Sequence, residues 1–188
     1  SFAVGLIHCL HSLNGKIVPK ETLANEAIYL EQQEMGENVG SQDQVAVSFG
    51  GFNRIDFLQD GRFEVLPIPL SIDTKNRLSK NLILLFTGLN RTASDIAITY
   101  KDTAGKEDIL TETHALVNDG IKLIASNDVD GFGALLDDGW RLKQKIGGVS
   151  NPQIDEIYGR AKKLGALGGK IIGAGGGGFM LLYVREKE

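Results

Sequence analysis

The chain has 188 residues, 42% hydrophobic and 23% charged, with a formal net charge of −4. This suits one large or two small domains of ordinary globular composition, and it excludes the broad basic field that gathers nucleic acid. No apolar run approaches a membrane span, and the single cysteine, Cys9, excludes an internal disulfide and fits a reducing, cytoplasmic location.

Residues 2–13 are apolar almost all round, which predicts a buried helix with Cys9 in the core. The opening Ser1-Phe-Ala-Val, without an initiating Met, reads as a helix entered at its first turn within a longer protein. Asn14-Gly15 ends that helix, and a second is expected over residues 21–35, with Leu23, Ala27, Ile28 and Leu30 near one face. A polar loop, Gly36-Glu-Asn-Val-Gly-Ser-Gln-Asp-Gln44, follows. Residues 52–58 and 62–66 read as two strands joined at Asp60-Gly61, a strong hairpin turn. Pro67 and Pro69 mark a linker between two layers or domains.

The second half opens with Asn81-Leu-Ile-Leu-Leu-Phe-Thr87, the pattern of a buried strand. Thr92 and Asp95 fit a capping box, and helical spacing runs from Leu110 through Ile124 and from Phe132 through Leu142. Asn151-Pro152 is a helix start, with Asn as cap and Pro at the first position. Two short strands then flank Lys170-Ile-Ile-Gly-Ala-Gly-Gly-Gly-Gly-Phe179.

Glycine is costly to order, so four in a row after Ala174 imply positive φ angles or a close backbone approach. Gly173, Gly175 and Gly178 formally fit the dinucleotide fingerprint, yet a short strand follows them where a helix is required. No Lys-Ser/Thr pair closes the run, which excludes a Walker loop. A tight strand–loop–strand connection is the bland alternative.

Candidate chemistry lies earlier. Asp43, in a glycine-containing loop, can orient a hydroxyl and accept its proton, or simply form a turn. Glu31, on the preceding helix, can hold a divalent cation or be a solvated face residue, and Glu34 competes with it. Arg91, after the apolar strand, is suited to binding a phosphate through two parallel hydrogen bonds. Arg54 is expected on a strand. His8, His11 and His114 lack metal-ligand spacing, and His114 reads as a partly buried structural residue.

Gly40-Ser-Gln-Asp-Gln44 followed at a distance by Gly173-Ala-Gly-Gly-Gly-Gly178, with Glu31 twelve positions before Asp43, resembles the GHMP family of small-molecule kinases, and in particular its branch acting on D-glycero-D-manno-heptose 7-phosphate. The resemblance covers essentially the whole chain. It implies an α+β, two-lobed fold, with residues 1–66 the rear of the N-terminal, ATP-binding lobe. Residues 67–188 would be a C-terminal lobe with a small antiparallel sheet backed by helices. It implies transfer of the γ-phosphoryl group of ATP to the anomeric hydroxyl of a sugar phosphate. Asp43 matches the catalytic aspartate, also touching the sugar with Gln44, Arg91, Gly175 and Gly176. Glu31 matches the magnesium ligand. Ser1 and Gly173, Ala174, Gly175, Gly176, Gly177 and Gly178 would contact the nucleotide. Ser1 looks like the last serine of the family's phosphate loop, Pro-x-x-x-Gly-Leu-Gly-Ser-Ser, whose remainder the sequence does not contain. The alternatives are a fucose or galactose kinase of the same family, a sugar sensor without turnover, or a structural half. The expected partners are a sugar phosphate and ATP, with no nucleic acid and no membrane; the oligomeric state is left open.

Overall fold

The computed structural model describes residues 2–89 and 105–186. The chain divides into two compact units between Pro69 and Leu70. Both are mixed α and β, with small antiparallel sheets accompanied by helices.

The first unit begins with α1 (Phe2–Leu13) and α2 (Lys20–Tyr29), which runs directly into a π-helical turn (Leu30–Glu34). After a loop come α3 (Gln42–Phe49) and the hairpin β1 (Asn53–Phe57) and β2 (Phe63–Pro67). Ala3 and Val4 of α1 pack on Leu23 and Ala27 of α2, with Ile7 and Leu30 at the margin. His11 Nε2 lies 2.6 Å from Glu26 Oε2, tying the same two helices. The expectation of a buried α1 is corrected here. Phe2, Leu6, Leu10 and Leu13 are exposed, and so is Cys9, because the packed stripe is only one face wide. The hairpin turns as its sequence dictates. Gly61 takes φ 86°, where only glycine is at ease, and Leu58 N–H donates to Arg62 O at 2.8 Å. Arg54 stands on β1 and pairs with Asp56 at 2.9 Å.

The second unit holds α4 (Ile72–Asn81), β3 (Leu82–Phe86), α5 (Lys106–Ala125), α6 (Val129–Ile146), α7 (Pro152–Lys163), β4 (Ala166–Ile171) and β5 (Phe179–Val184). The strands form an antiparallel sheet in the order β3-β5-β4. Trp140, Val149, Ile154, Ile171 and Met180 form its core and are wholly buried. Each helix start follows from a cap. Ser71 Oγ, Asp128 Oδ1 and Asn151 Oδ1 accept from the backbone N–H of Thr74, Gly131 and Ile154 at 2.8–2.9 Å.

Glycine decides how closely α6 approaches β4. A Cβ on Gly168 would lie 2.2 Å from the Gly133 carbonyl oxygen and 2.7 Å from Asp137 N. Opposite, a Cβ on Gly133 would meet the Tyr183 ring at 2.3 Å. A network then locks the layers. Asp137 accepts from the Tyr158 hydroxyl and pairs with Arg141 at 2.8 Å and Lys162 at 3.3 Å.

Three expectations need correction in this unit. The segment after Pro69 is not a linker throughout, because Ser71 caps α4 and Leu78 anchors it. The apolar run does form β3, but Ile83, Leu84, Leu85 and Phe86 are exposed, since among the described residues this strand is the sheet's edge. His114 is exposed on α5. The capping pair Thr92 and Asp95 lies outside the described residues.

Candidate functional site

In the first unit the π-helical turn sets the geometry. A π turn carries one more residue per turn than an α-helix and is frequent at functional sites. Met35 N–H donates to Leu30 O at 2.9 Å, and the turn presents Glu31 and Gln32 toward the start of α3. Gln32 Nε2 donates to Val39 O at 2.9 Å and to Ser41 Oγ at 3.1 Å, closing the loop over the helix start. Gln44 Nε2 donates to Glu31 Oε2.

Asp43 and Gln44 therefore sit in the first turn of α3 and not in an open loop as the sequence suggested. Consecutive helical residues point about 100° apart. Gln44 is buried at 1% exposure and its neighbour Asp43 is exposed. Gln44 Oε1 and Ser48 Oγ, one turn further on, are buried without a hydrogen-bond partner among the described residues. The outcome is a carboxylate, Glu31, held by a buried amide whose immediate neighbour is a second, solvent-facing carboxylate. Glu34 is exposed at the far end of the π turn, where its carboxylate raises the pKa of the Tyr29 hydroxyl. The geometry favours Glu31 over Glu34 as the residue associated with Asp43.

In the second unit Gly173–Gly178 join β4 to β5. Gly173, Gly175, Gly176 and Gly178 have φ of 76°, 118°, 72° and 79°. The close approach is to other loops of the same unit. Gly176 N–H donates to Val149 O at 2.7 Å, and Gly178 N–H to Leu89 O at 2.8 Å. A Cβ on Gly175 would lie 2.8 Å from Val149 O, and one on Gly177 2.4 Å from Leu89 O. Gly173 and Gly178 need glycine for φ alone, since nothing lies within 4 Å of a Cβ there. Thr87 reinforces the closure, its N–H and Oγ1 both donating to Gly178 O at 2.9 and 2.8 Å.

Lys143, in the last turn of α6, donates to Gly173 O at 2.6 Å. Partial burial, and then the like charge of Lys170, push its ammonium down to about 8. Sequence reasoning passed over both lysines. The available signal was Lys170 at the entrance to the glycine run and a basic last turn on α6. Ser1 and Arg91 lie outside the described residues. Among the described residues no group of three or more His, Cys, Asp or Glu is gathered as a metal cage, and no helix is long and apolar enough to cross a membrane.

Known proteins give these features a context. Residues 121–188 match the family described as GHMP kinases C terminal. The chain is 37% identical over 166 residues to a D-glycero-alpha-D-manno-heptose 7-phosphate kinase of Campylobacter jejuni, covering 86% of this chain and 49% of that protein. It is 26% identical over 196 residues to a mevalonate kinase of Pyrococcus furiosus, covering 99% of this chain and 54% of that one. A crystal structure of a D-glycero-D-manno-heptose 1-phosphate kinase from Bacteroides thetaiotaomicron matches with a TM-score of 0.68 at 25% identity, over 97% of this chain and 50% of that chain. The L. major mevalonate kinase in complex with R-mevalonate shares the fold, with a TM-score of 0.75 at 20% identity, over 100% of this chain and 56% of that one. The chain spans about half the length of these relatives. It carries a GHMP kinase C-terminal domain and belongs among the GHMP kinases.

Proposed function

We propose that this chain is part of an ATP-dependent sugar kinase that phosphorylates the anomeric hydroxyl of a sugar phosphate, with D-glycero-D-manno-heptose 7-phosphate the favoured acceptor. The observation that carries the reading is the hydrogen bond from Gln44 to Glu31, which joins the candidate cation ligand to the turn bearing Asp43. On this reading residues 1–66 belong to the nucleotide lobe and residues 67–188 to the C-terminal lobe. Asp43 accepts the proton of the sugar hydroxyl as its oxygen bonds the γ-phosphorus and ADP departs. Its exposure leaves it accessible to an acceptor.

Magnesium fits the donor set. It is commonly held by one or two carboxylates together with substrate phosphates, so a full protein cage is not required. Glu31 would hold it, and Gln44, by occupying Oε2, would leave Oε1 for that purpose. When bound, magnesium offsets charge on the phosphate oxygens. Gly173–Gly178, with Ser1 and Arg91, remain the proposed contacts to nucleotide and sugar phosphate, and Asp43, Gln44, Gly175 and Gly176 the proposed sugar contacts. The burial of Gln44 suits an indirect role through Glu31 better than a direct one.

The test is ADP release with ATP and magnesium across heptose 7-phosphate, fucose, galactose and mannose, on the longest native form of the protein beside the 188-residue chain. Turnover with the heptose phosphate alone supports the reading. Turnover with fucose or galactose instead moves the substrate, and ligand binding without ADP release moves the protein to a sensor. Asp43→Asn should lower turnover about 10²–10⁴-fold; near-normal turnover in a folded variant refutes its role.

A further inference from the structure

Lys143 and Lys170 stand out because their charges are unanswered. Lys143 is half-buried at the end of α6, and its one hydrogen bond among the described residues is to the Gly173 carbonyl. Lys170 is exposed on β4, three residues before Gly173, and has no ion pair among the described residues. It lies two residues beyond Gly168, so strand alternation turns it to the face that packs on α6. The two ammonium groups are near enough for Lys170 to depress Lys143. The neighbouring basic groups are arranged otherwise. Lys145 pairs with Glu112, and Arg141 and Lys162 both pair with Asp137. The acids of this corner are thus already engaged. Beside the lysines the surface is open, since nothing lies within 4 Å of a Cβ at Gly173.

Two like charges held together without a counter-charge are costly unless an anion joins them. We propose that Lys143 and Lys170 form an anion subsite at the entrance to the glycine loop and that its ligand is a phosphate group. A phosphate dianion offers several strong acceptors to two lysines as point donors. The proposal rests on the kinase reading only for the source of that phosphate, which is either the non-reacting phosphate of a sugar acceptor or a phosphate of the nucleotide.

Inorganic phosphate titrated calorimetrically into the 188-residue chain at pH 7 and fixed ionic strength tests the subsite without requiring turnover. The expected result is saturable binding, weakened about tenfold or more in Lys170→Met and in Lys143→Met. Lys170→Arg should retain it, and Lys145→Met should leave it unchanged. Because Lys143 also braces Gly173, the Lys170 pair decides if Lys143→Met misfolds. No saturable binding, equal binding in Lys170→Met, or equal loss in Lys145→Met overturns the proposal. In the longest native form, Lys170→Met should raise the KM of heptose 7-phosphate or that of ATP, and whichever rises names the source. Unchanged values for both, in an active enzyme, overturn the subsite. Phosphate binding without any kinase turnover leaves the subsite standing and removes the kinase reading alone.

Discussion

Replacing Gly168 by alanine probes how closely α6 and β4 are fitted. The added methyl would lie 2.2 Å from Gly133 O, and ordinary contact begins near 3.4 Å. The layers would have to part by about 1.2 Å. Both nearest atoms, Gly133 O and Asp137 N, are backbone, so no side chain can rotate away. Overpacking of this kind costs about 1–3 kcal/mol where neighbours can adjust, and a helix that must move as a body belongs at the upper end. A loss of about 3 kcal/mol in this unit corresponds to a fall in Tm of roughly 10 °C or more. Urea unfolding followed by Trp140 fluorescence reports this unit, because Trp140 is the sole tryptophan and lies wholly buried in its core. Gly159→Ala on α7 is the matched control. Nothing lies within 4 Å of its Cβ, so alanine there should stabilise by about 0.5–1 kcal/mol. If Gly168→Ala falls within about 0.5 kcal/mol of the parent, the close approach of α6 and β4 is not what the glycine serves.

Asp137→Ala should cost about 3–5 kcal/mol, since Tyr158, Lys162 and Arg141 lose a shared, largely buried partner. Burial works to raise the Asp137 pKa, but the Tyr158 hydrogen bond, Lys162 and Arg141 prevail and hold it below its ordinary 3.8. Its stabilisation is therefore full above pH 3.8 and lost as pH falls through the lowered value, and Asp137→Asn should flatten that acid limb in melts across pH. Lys143 has the opposite sense. Its depressed folded value means the unfolded chain binds more protons between about pH 8 and 10.5. Stability should therefore rise across that interval, and the rise should vanish in Lys143→Met. Gln44→Leu keeps a buried side chain but releases Glu31, and should weaken magnesium dependence or turnover about 10–100-fold, as loss of an outer partner of a ligand does. Unaltered magnesium dependence in a folded variant would remove Gln44 from the site.

Local chemistry that the sequence states openly was recovered. Asn151-Pro152 starts α7, and Asp60-Gly61 turns the hairpin, because each effect is confined to a few residues. The glycine run was legible as a close approach, and Val149 and Leu89 prove to be what it approaches within its own unit. The polar segment forming α4 was hidden by the flanking prolines, although Ser71 and Asp73 are a helix start. Exposure of α1 and β3 could not be read, because an apolar pattern shows what can be buried and not what covers it. The π turn leaves no mark in the hydrophobic spacing. Nor does sequence reveal that Gly133 and Gly168 thin the α6–β4 interface, since that depends on which backbones meet.

The π turn has a consequence for heredity as well as for geometry. It is the form an α-helix takes when one residue is inserted into it. Loss of a single codon, such as that of Gln33, would let Leu30–Glu34 relax to an α-helix and swing all that follows by about 100°. The reach of Gln32 to Ser41 and of Gln44 to Glu31 would be lost in one step, with every named side chain still encoded. Deletions of one residue thus belong beside substitutions when variants of this corner are compared.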